Sequence, residues 1–371
     1  MSDTPTIAIV GAGLVGRLLA FELSKLNYVI CLYEADNLFS TTATAENSQH
    51  AAAFTAAGMI APISETLESD FDTYLLGKAS LKLWPQIIEQ LNEQSTQDIY
   101  YQHTGSLIIC HPQDSAELLH FKRRVEQLSK RCDATYEELN ASQIALYEPD
   151  LGAGFASGLL LEDEANIDNR HALRALLEQC LRNKVQVFDK TPVEIENNCI
   201  ISASDKALFD WVFDCRGMGA KNTLSTLRGV RGEVLRVHCP QVALNRPVRL
   251  MHPRYQLYLV PKPNNQYVIG ATQIESEDRS SMSIQSMLEL SSAMYSITPA
   301  FSEARILEQN TNLRPALRDN RATVQVDKQH VSINGLFRHG FLVAPAIVET
   351  VVSWLAGEEG PFFHTLFSIR Q

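Results

Sequence analysis

The densest apolar rhythm in the chain comes first. A four-residue apolar run, Ile7-Ala8-Ile9-Val10, meets a glycine turn, after which Val15, Leu18, Leu19, Leu23 and Leu26 recur at three- and four-residue steps. That spacing puts one apolar face on a helix. A second apolar run, Tyr28 to Tyr33, follows, so the segment up to Asp36 reads as strand, helix, strand. From Asp36 to Thr55 the period disappears into Thr, Ala, Ser and Asn, which predicts a loop. The pattern of Leu75, Leu76, Ala79, Leu83, Ile87, Ile88 and Leu91 then predicts a long helix over 72–94, which Pro85 should end or kink.

Shorter periods dominate after that. Tyr100 to Cys110 predicts strands paired around Gly105, and Ser115 to Lys130 a helix. Between Gly158 and Asp214 the reading is a strand, a helix at 170–182, and strands at 185–188, 193–202 and 208–214, closed by a turn at Cys215 to Gly219. Runs at 233–237, 256–260 and 267–269 are short, β-rich and bounded by Pro, Asn and Gly. Helices are predicted at 282–297 and 341–355. No repeat, low-complexity tract or linker interrupts the chain, so its domains are expected to interweave.

Composition narrows the class. The 371 residues are 45% hydrophobic and 20% charged, as in folded soluble proteins, and the length suits two domains. Acidic residues outnumber basic ones 43 to 32, a net charge of -11 that disfavours nucleic acid or anionic lipid as a whole-surface partner. The 7 cysteines are odd in number and form no C-x-x-C pair, which argues against a disulfide framework or a zinc site and for a reducing cytoplasm. The 10 histidines show no H-x-x-x-H spacing, so no metal site is expected. The segment from Met1 to Pro5 has no signal-peptide character, and Pro345 and Glu349 break the apolar stretch from Phe341 to Leu355, so neither export nor a membrane span is expected.

The chemistry-bearing motif is Gly11-x-Gly13-x-x-Gly16, between a strand and a helix, with Glu34 following 23 residues after Gly11 at the end of the second strand. In that context each position has a physical reason: Gly11 for a tight turn, Gly13 for close approach of a pyrophosphate, Gly16 for packing of helix on strand. The free N–H groups at the helix start would face the phosphates, and Leu14 and Val15 supply them. Glu34 would accept from ribose hydroxyls and repel a 2′-phosphate, disfavouring NADP. These residues alone do not choose between FAD and NAD.

Several further segments, in order, resemble the D-amino-acid oxidase family of FAD-dependent amine oxidases, and within it the bacterial glycine oxidases of thiamine thiazole synthesis. They are Ala57-Gly58-Met59-Ile60-Ala61-Pro62, Thr104 to Ile108, Tyr258-Leu259-Val260-Pro261 with Ile269-Gly270-Ala271-Thr272, Leu313-Arg314-Pro315, and Gly335 to Pro345. The resemblance implies an α/β (α+β) fold: a glutathione-reductase-like FAD-binding Rossmann domain (1–84, 150–222 and 316–371) and a mostly antiparallel substrate domain (85–149 and 223–315). FAD would run from Glu34 and Ala35 past the glycine turn and Ala52, Ala53 and Gly217 to Ala57, Gly58 and Met59. Val193 would lie near the adenine, and Phe337, Arg338, His339, Gly340, Phe341 and Leu342 against the flavin.

Departures from the family pattern are also visible. The connection from Glu34 to Gly58 is longer than usual, Ala52 and Ala53 replace a frequent hydroxyl pair, Gln273 stands where a Met is familiar, and Gln256 where a His can occur. No Cys lies between Asn310 and Asp319, where some relatives attach their flavin, so FAD is expected to be non-covalent.

The activity implied is oxidative deamination of glycine or a small amine, with hydride passing from the α-carbon to flavin N5 and O2 returning H2O2. The product imine would feed thiazole formation or hydrolyse to glyoxylate. Such chemistry needs positioning rather than a strong base, so no acid or base is assigned. Arg314 would clamp the substrate carboxylate as a planar fork, with Tyr258, Arg338 and Met59 beside it. Alternatives are a dehydrogenase with another acceptor, a tRNA wobble-uridine enzyme and a non-catalytic flavin-binding regulator. A homo-oligomer is compatible with all of them.

Overall fold

The computed structural model describes residues 4–38, 51–66, 69–93, 95, 97–253 and 257–370. Gln256 and positions 39–50 of the long connection therefore lie outside the described residues. The opening segment folds as its pattern predicts, with strand Thr6–Val10, helix Leu14–Leu23 and strand Val29–Tyr33. The two strands pair in parallel, and the helix buries Leu18, Leu19 and Leu23 completely.

Those strands sit inside a seven-stranded sheet whose members come from three parts of the chain. Its order is Phe367–Arg370, Thr323–Asp327, His330–Asn334, Trp211–Asp214, Thr6–Val10, Val29–Tyr33 and Gln186–Phe188. All of its pairings are parallel except the hairpin of 323–327 with 330–334. The second large sheet has eight strands, from Arg305–Ala316 through Arg228–His238, Gln266–Gly270, Leu257–Lys262, Val248–Met251, Ser106–Cys110 and Ser157–Leu161 to Glu137–Asn140. It is antiparallel apart from the pairing of 248–251 with 106–110. Each sheet has its own apolar core. No helix among the described residues is long and apolar enough to cross a membrane.

Several expectations about individual elements are corrected. Pro85 does not end helix Phe71–Asn92 but lies inside it, as Pro345 lies inside helix Gly340–Leu355, the latter a helix as expected. A proline inside a helix costs roughly 3 kcal/mol; here the two helices pack on each other and offset it. Trp84 Nε1 donates to Phe341 O at 2.8 Å, Ser80 Oγ accepts from Ala346 N at 3.2 Å, and a Cβ at Gly77 would meet Leu342 Cδ1 at 2.6 Å.

The strands flanking Gly105 do not pair with each other. Tyr101–Gln102 joins the strand Ala165–Ile167, whereas Ser106–Cys110 enters the eight-stranded sheet. Gly105, at φ +79° with Leu161 O only 2.6 Å from where a Cβ would stand, carries the chain between sheets. The run 193–202 is a hairpin, Glu194–Glu196 against Cys199–Ile201, turning at Asn197 in the left-handed region. The run 208–214 likewise divides, Lys206–Leu208 extending that hairpin and Trp211–Asp214 entering the parallel sheet. The predicted loop 36–55 ends in a short helix, Ala52–Thr55.

Candidate active site

One cavity of about 1180 Å³ runs between the two large sheets. It exceeds an ordinary small-molecule pocket, which fits a long two-part ligand with room for a smaller one at its end. Its lining includes Glu34, Ala35 and Val193, the glycine-turn residues Gly11, Gly13, Leu14 and Val15, and Gly217. Ala52, Ala53, Ala57, Gly58 and Met59 line it too, as do Phe337, Arg338, Gly340, Phe341 and Leu342. Tyr258 and Arg314 line it as well. Two of the expected residues are not in the lining. Gly16 acts behind the wall, where a Cβ would stand 1.9 Å from Gly11 O, and His339 faces Glu65 instead.

The glycine turn has the construction a dinucleotide requires. Gly11 adopts φ +98°, and a Cβ there would collide with Cys215 O at 2.7 Å. Gly13 is the N-cap of helix Leu14–Leu23 and supplies no side-chain acceptor, so the first N–H groups of that helix have neither an intrahelical partner nor a cap and open onto the cavity. Anionic phosphates are the natural ligand of such an end. Glu34 accepts from Ala12 N at 2.7 Å and from Asp36 N at 3.1 Å, one bond on each oxygen. Each oxygen retains a further lone pair for a ribose hydroxyl. The residues at this end fit FAD.

The other end is built from charged side chains. Arg314 stands on strand Arg305–Ala316, and its guanidinium lies over Gly232, where a Cβ would be 2.5 Å from Nη2. It donates to Thr272 O at 3.0 Å and Arg231 O at 3.3 Å, and no described carboxylate lies within ion-pair distance. Burial, with Arg338 nearby, pulls its pKa down to about 10, Glu65 opposing. A half-buried guanidinium held, among the described residues, by backbone carbonyls alone is an unneutralised charge, and it costs free energy until an anion arrives.

Arg338, expected beside substrate and flavin, lines the cavity and is engaged by a carboxylate. Its Nε lies 2.7 Å from Glu65 Oε2 and its Nη2 donates to Glu65 Oε1 at 3.1 Å. Tyr258 donates to the same Oε1 at 2.5 Å and accepts from Arg338 Nη2 at 3.2 Å. His339 Nδ1 is 3.3 Å from Glu65 Oε2, and Gln273 Oε1 accepts from Arg338 Nη1 at 3.4 Å. Burial pushes the Glu65 carboxyl up, but Arg338 with the bonds from His339 and Tyr258 outweighs it and holds it well below the usual carboxylate range. Glu65 is thus a permanent anion on the cavity wall. It sits in helix Pro62–Thr66, three residues past the last position that the motif reading covered.

Behind this wall lies a second buried layer. Glu164 accepts from Ser64 N at 2.6 Å and Ser64 Oγ at 3.0 Å, and Arg249 donates to Ser64 O at 3.2 Å. Burial raises the Glu164 carboxyl to about 7, against the hydrogen bonds from Ser64 and Ser106 and the charge of Arg249. Lys262 Nζ donates to Ala57 O and Ile167 O, both at 2.6 Å, pinning the segment that carries Gly58 and Met59. Burial lowers its pKa to about 7. Among the described residues no cluster of His, Cys, Asp and Glu could hold a metal ion.

Comparison with known proteins agrees with this geometry. The profile of the DAO family, described as FAD dependent oxidoreductase, matches residues 6–354. A putative thiamine biosynthesis oxidoreductase ThiO of Rhizobium etli is 33% identical over 358 residues, covering 95% of this chain and 97% of that protein. The crystal structure of glycine oxidase from Geobacillus kaustophilus superposes with a TM-score of 0.82 at 20% identity, over 96% of both chains. That of an iminodiacetate oxidase from Chelativorans does so with a TM-score of 0.82 at 20% identity, over 98% of this chain and 100% of that one.

Proposed function

The chain belongs to the DAO family of FAD-dependent oxidoreductases, and from that premise we propose that it oxidises glycine or a small N-substituted glycine to the imine, as a supply for thiazole synthesis. The observation that carries this reading is Arg314, a guanidinium without a described carboxylate partner, lining the same cavity as the glycine turn. A planar fork of this kind takes a carboxylate through two parallel charge-assisted bonds.

FAD held there would supply a two-electron acceptor for hydride from the substrate α-carbon, with O2 as the final acceptor and H2O2 as its product. The chain itself grips and orients. Glu34 would hold the ribose, the open N–H groups after Gly13 would hold the pyrophosphate, and the pinned segment Ala57 to Met59 would support the cofactor along the cavity wall. Arg314 takes the substrate carboxylate, and Tyr258, with its hydroxyl locked on Glu65, shapes the wall beside it. Binding is non-covalent on this reading: among the described residues the cysteine lining the cavity is Cys215, beside Gly11, with its thiol pushed up by burial. The domain division at residues 84, 149, 222 and 315 belongs to the same proposal.

Anaerobic mixing with glycine, N-methylglycine and D-alanine, followed by air, tests it. The expected result is bleaching of the oxidised-flavin absorbance by at least one of them and stoichiometric peroxide on aeration. Bleaching without peroxide, but with fast dye reduction, would move the assignment to a dehydrogenase; no bleaching by any small amine would refute amine oxidation altogether.

A further inference from the structure

Two guanidinium groups line the substrate end of the cavity, and only one of them is engaged by a described carboxylate. Glu65 meets Arg338 with both oxygens, at 2.7 Å and 3.1 Å, the forked geometry of a bound carboxylate ligand. Its position is fixed from both sides. Tyr258 donates to Oε1, and His339 Nδ1 packs 3.3 Å from Oε2. The residue before it is held by Glu164 and Arg249, so the helix cannot swing outward without breaking buried bonds. Arg314, by contrast, has only backbone acceptors among the described residues.

We propose that Glu65 sets the charge class of the substrate, occupying Arg338 as a built-in substitute for a second substrate carboxylate. Monocarboxylate amines are accepted and dicarboxylate amines are turned away. The inference rests on the reading above, that Arg314 receives the carboxylate of the oxidised amine. Among the described residues Glu65 offsets Arg338, and Arg314 keeps a positive charge for one carboxylate. A second carboxylate would have to displace Glu65 from its buried ion pair with Arg338 or lie beside it as a desolvated like charge, and both are strongly unfavourable. Arg279, exposed at the cavity's rim, is solvated and cannot take over that role.

The test titrates the FAD-loaded protein with acetate and malonate while following perturbation of the flavin spectrum, and compares kcat/KM for glycine and iminodiacetate. In the unmodified protein malonate should bind at least tenfold more weakly than acetate. Glu65→Gln should move both the malonate-to-acetate and the iminodiacetate-to-glycine ratios at least tenfold toward the diacid. Adding Arg338→Gln to it should abolish that gain, which a merely structural role for Glu65 would not do. Equal binding of malonate and acetate by the unmodified protein would overturn the proposal, and that comparison requires no variant to fold. Ratios unmoved by Glu65→Gln would overturn it as well. Failure of the underlying reading looks different: the unmodified protein would bind neither carboxylate, and glycine would not bleach it.

Discussion

On the proposed reading, the two ends of the cavity solve the same problem, holding a charged ligand away from bulk water, with different materials. The dinucleotide end uses backbone: three glycines, an uncapped helix start and one carboxylate, all within residues 11–34. The substrate end uses side chains brought from positions 65, 258, 314 and 338, on one helix, two strands and a turn. A backbone site depends on the absence of atoms, so it breaks when atoms are added. A side-chain site depends on a balance of buried charges, so it breaks when one charge is removed or titrated.

The strongest effects belong to the backbone end, and two neighbouring glycines separate folding from binding there. Gly16→Ala would put a Cβ 1.9 Å from Gly11 O, an atom of the main chain that can move only if the strand-to-helix turn opens. A loss of about 3 kcal/mol or more is expected, read as a lower denaturant midpoint in the cofactor-free protein. Gly13→Val should do the opposite. The nearest atom to its Cβ is Ala51 Cβ at 3.5 Å, an ordinary contact, so the chain accommodates the substitution while the pyrophosphate approach is filled. Folded but colourless protein, with FAD affinity down at least a hundredfold, is the expected outcome. A fully yellow Gly13→Val protein would show that the phosphates do not pass over this turn.

At the substrate end, Arg314→Ala should leave the flavin bound and raise KM for glycine. Loss of a charge-assisted pair worth about 1.5 to 3 kcal/mol corresponds to roughly ten- to hundredfold. If KM did not change, Arg314 would not be the carboxylate receptor. If FAD were lost as well, the separation of the two ends would be wrong.

The same contrast explains what could be read from the chain before its structure. The glycine turn is contiguous, and its neighbours declare strand and helix by period alone, so fold class and cofactor end were legible together. Arg314 and Tyr258 were reachable through the order of family-like segments, because each lies in a recognisable strand. Glu65 was not. Helix Pro62–Thr66 is too short to show a period, and the signal that remained was a proline at its first position with an acid in its first turn. The hairpin at 194–201 was hidden for a related reason: apolar residues continue through it, and the turn is declared only by Asn197 and Asn198. Pro85 misled in the other direction, since the packing that offsets it comes from a helix more than 250 residues away, as the separation of 257 between Trp84 and Phe341 records.

The smallest expected effect tests whether the charged end also carries the pH dependence that the backbone end should lack. Glu164 is fully buried beneath the Glu65 helix, and its carboxyl is raised by burial from an ordinary 4.5 to about 7. Between those values the folded chain binds more protons at this site than the unfolded chain does, so stability falls as pH rises through the window and the loss is complete above about 7. Glu164→Gln removes that titration while keeping a side chain of the same shape. Its melting temperature relative to the unmodified protein should therefore climb between pH 5 and pH 8, by a few degrees at most, since the full window corresponds to no more than about 3.5 kcal/mol at roughly 1.4 kcal/mol per pH unit. A difference that stays flat across this range would mean that Glu164 does not titrate there, and that Ser64 and Arg249 support the substrate wall by hydrogen bonding alone.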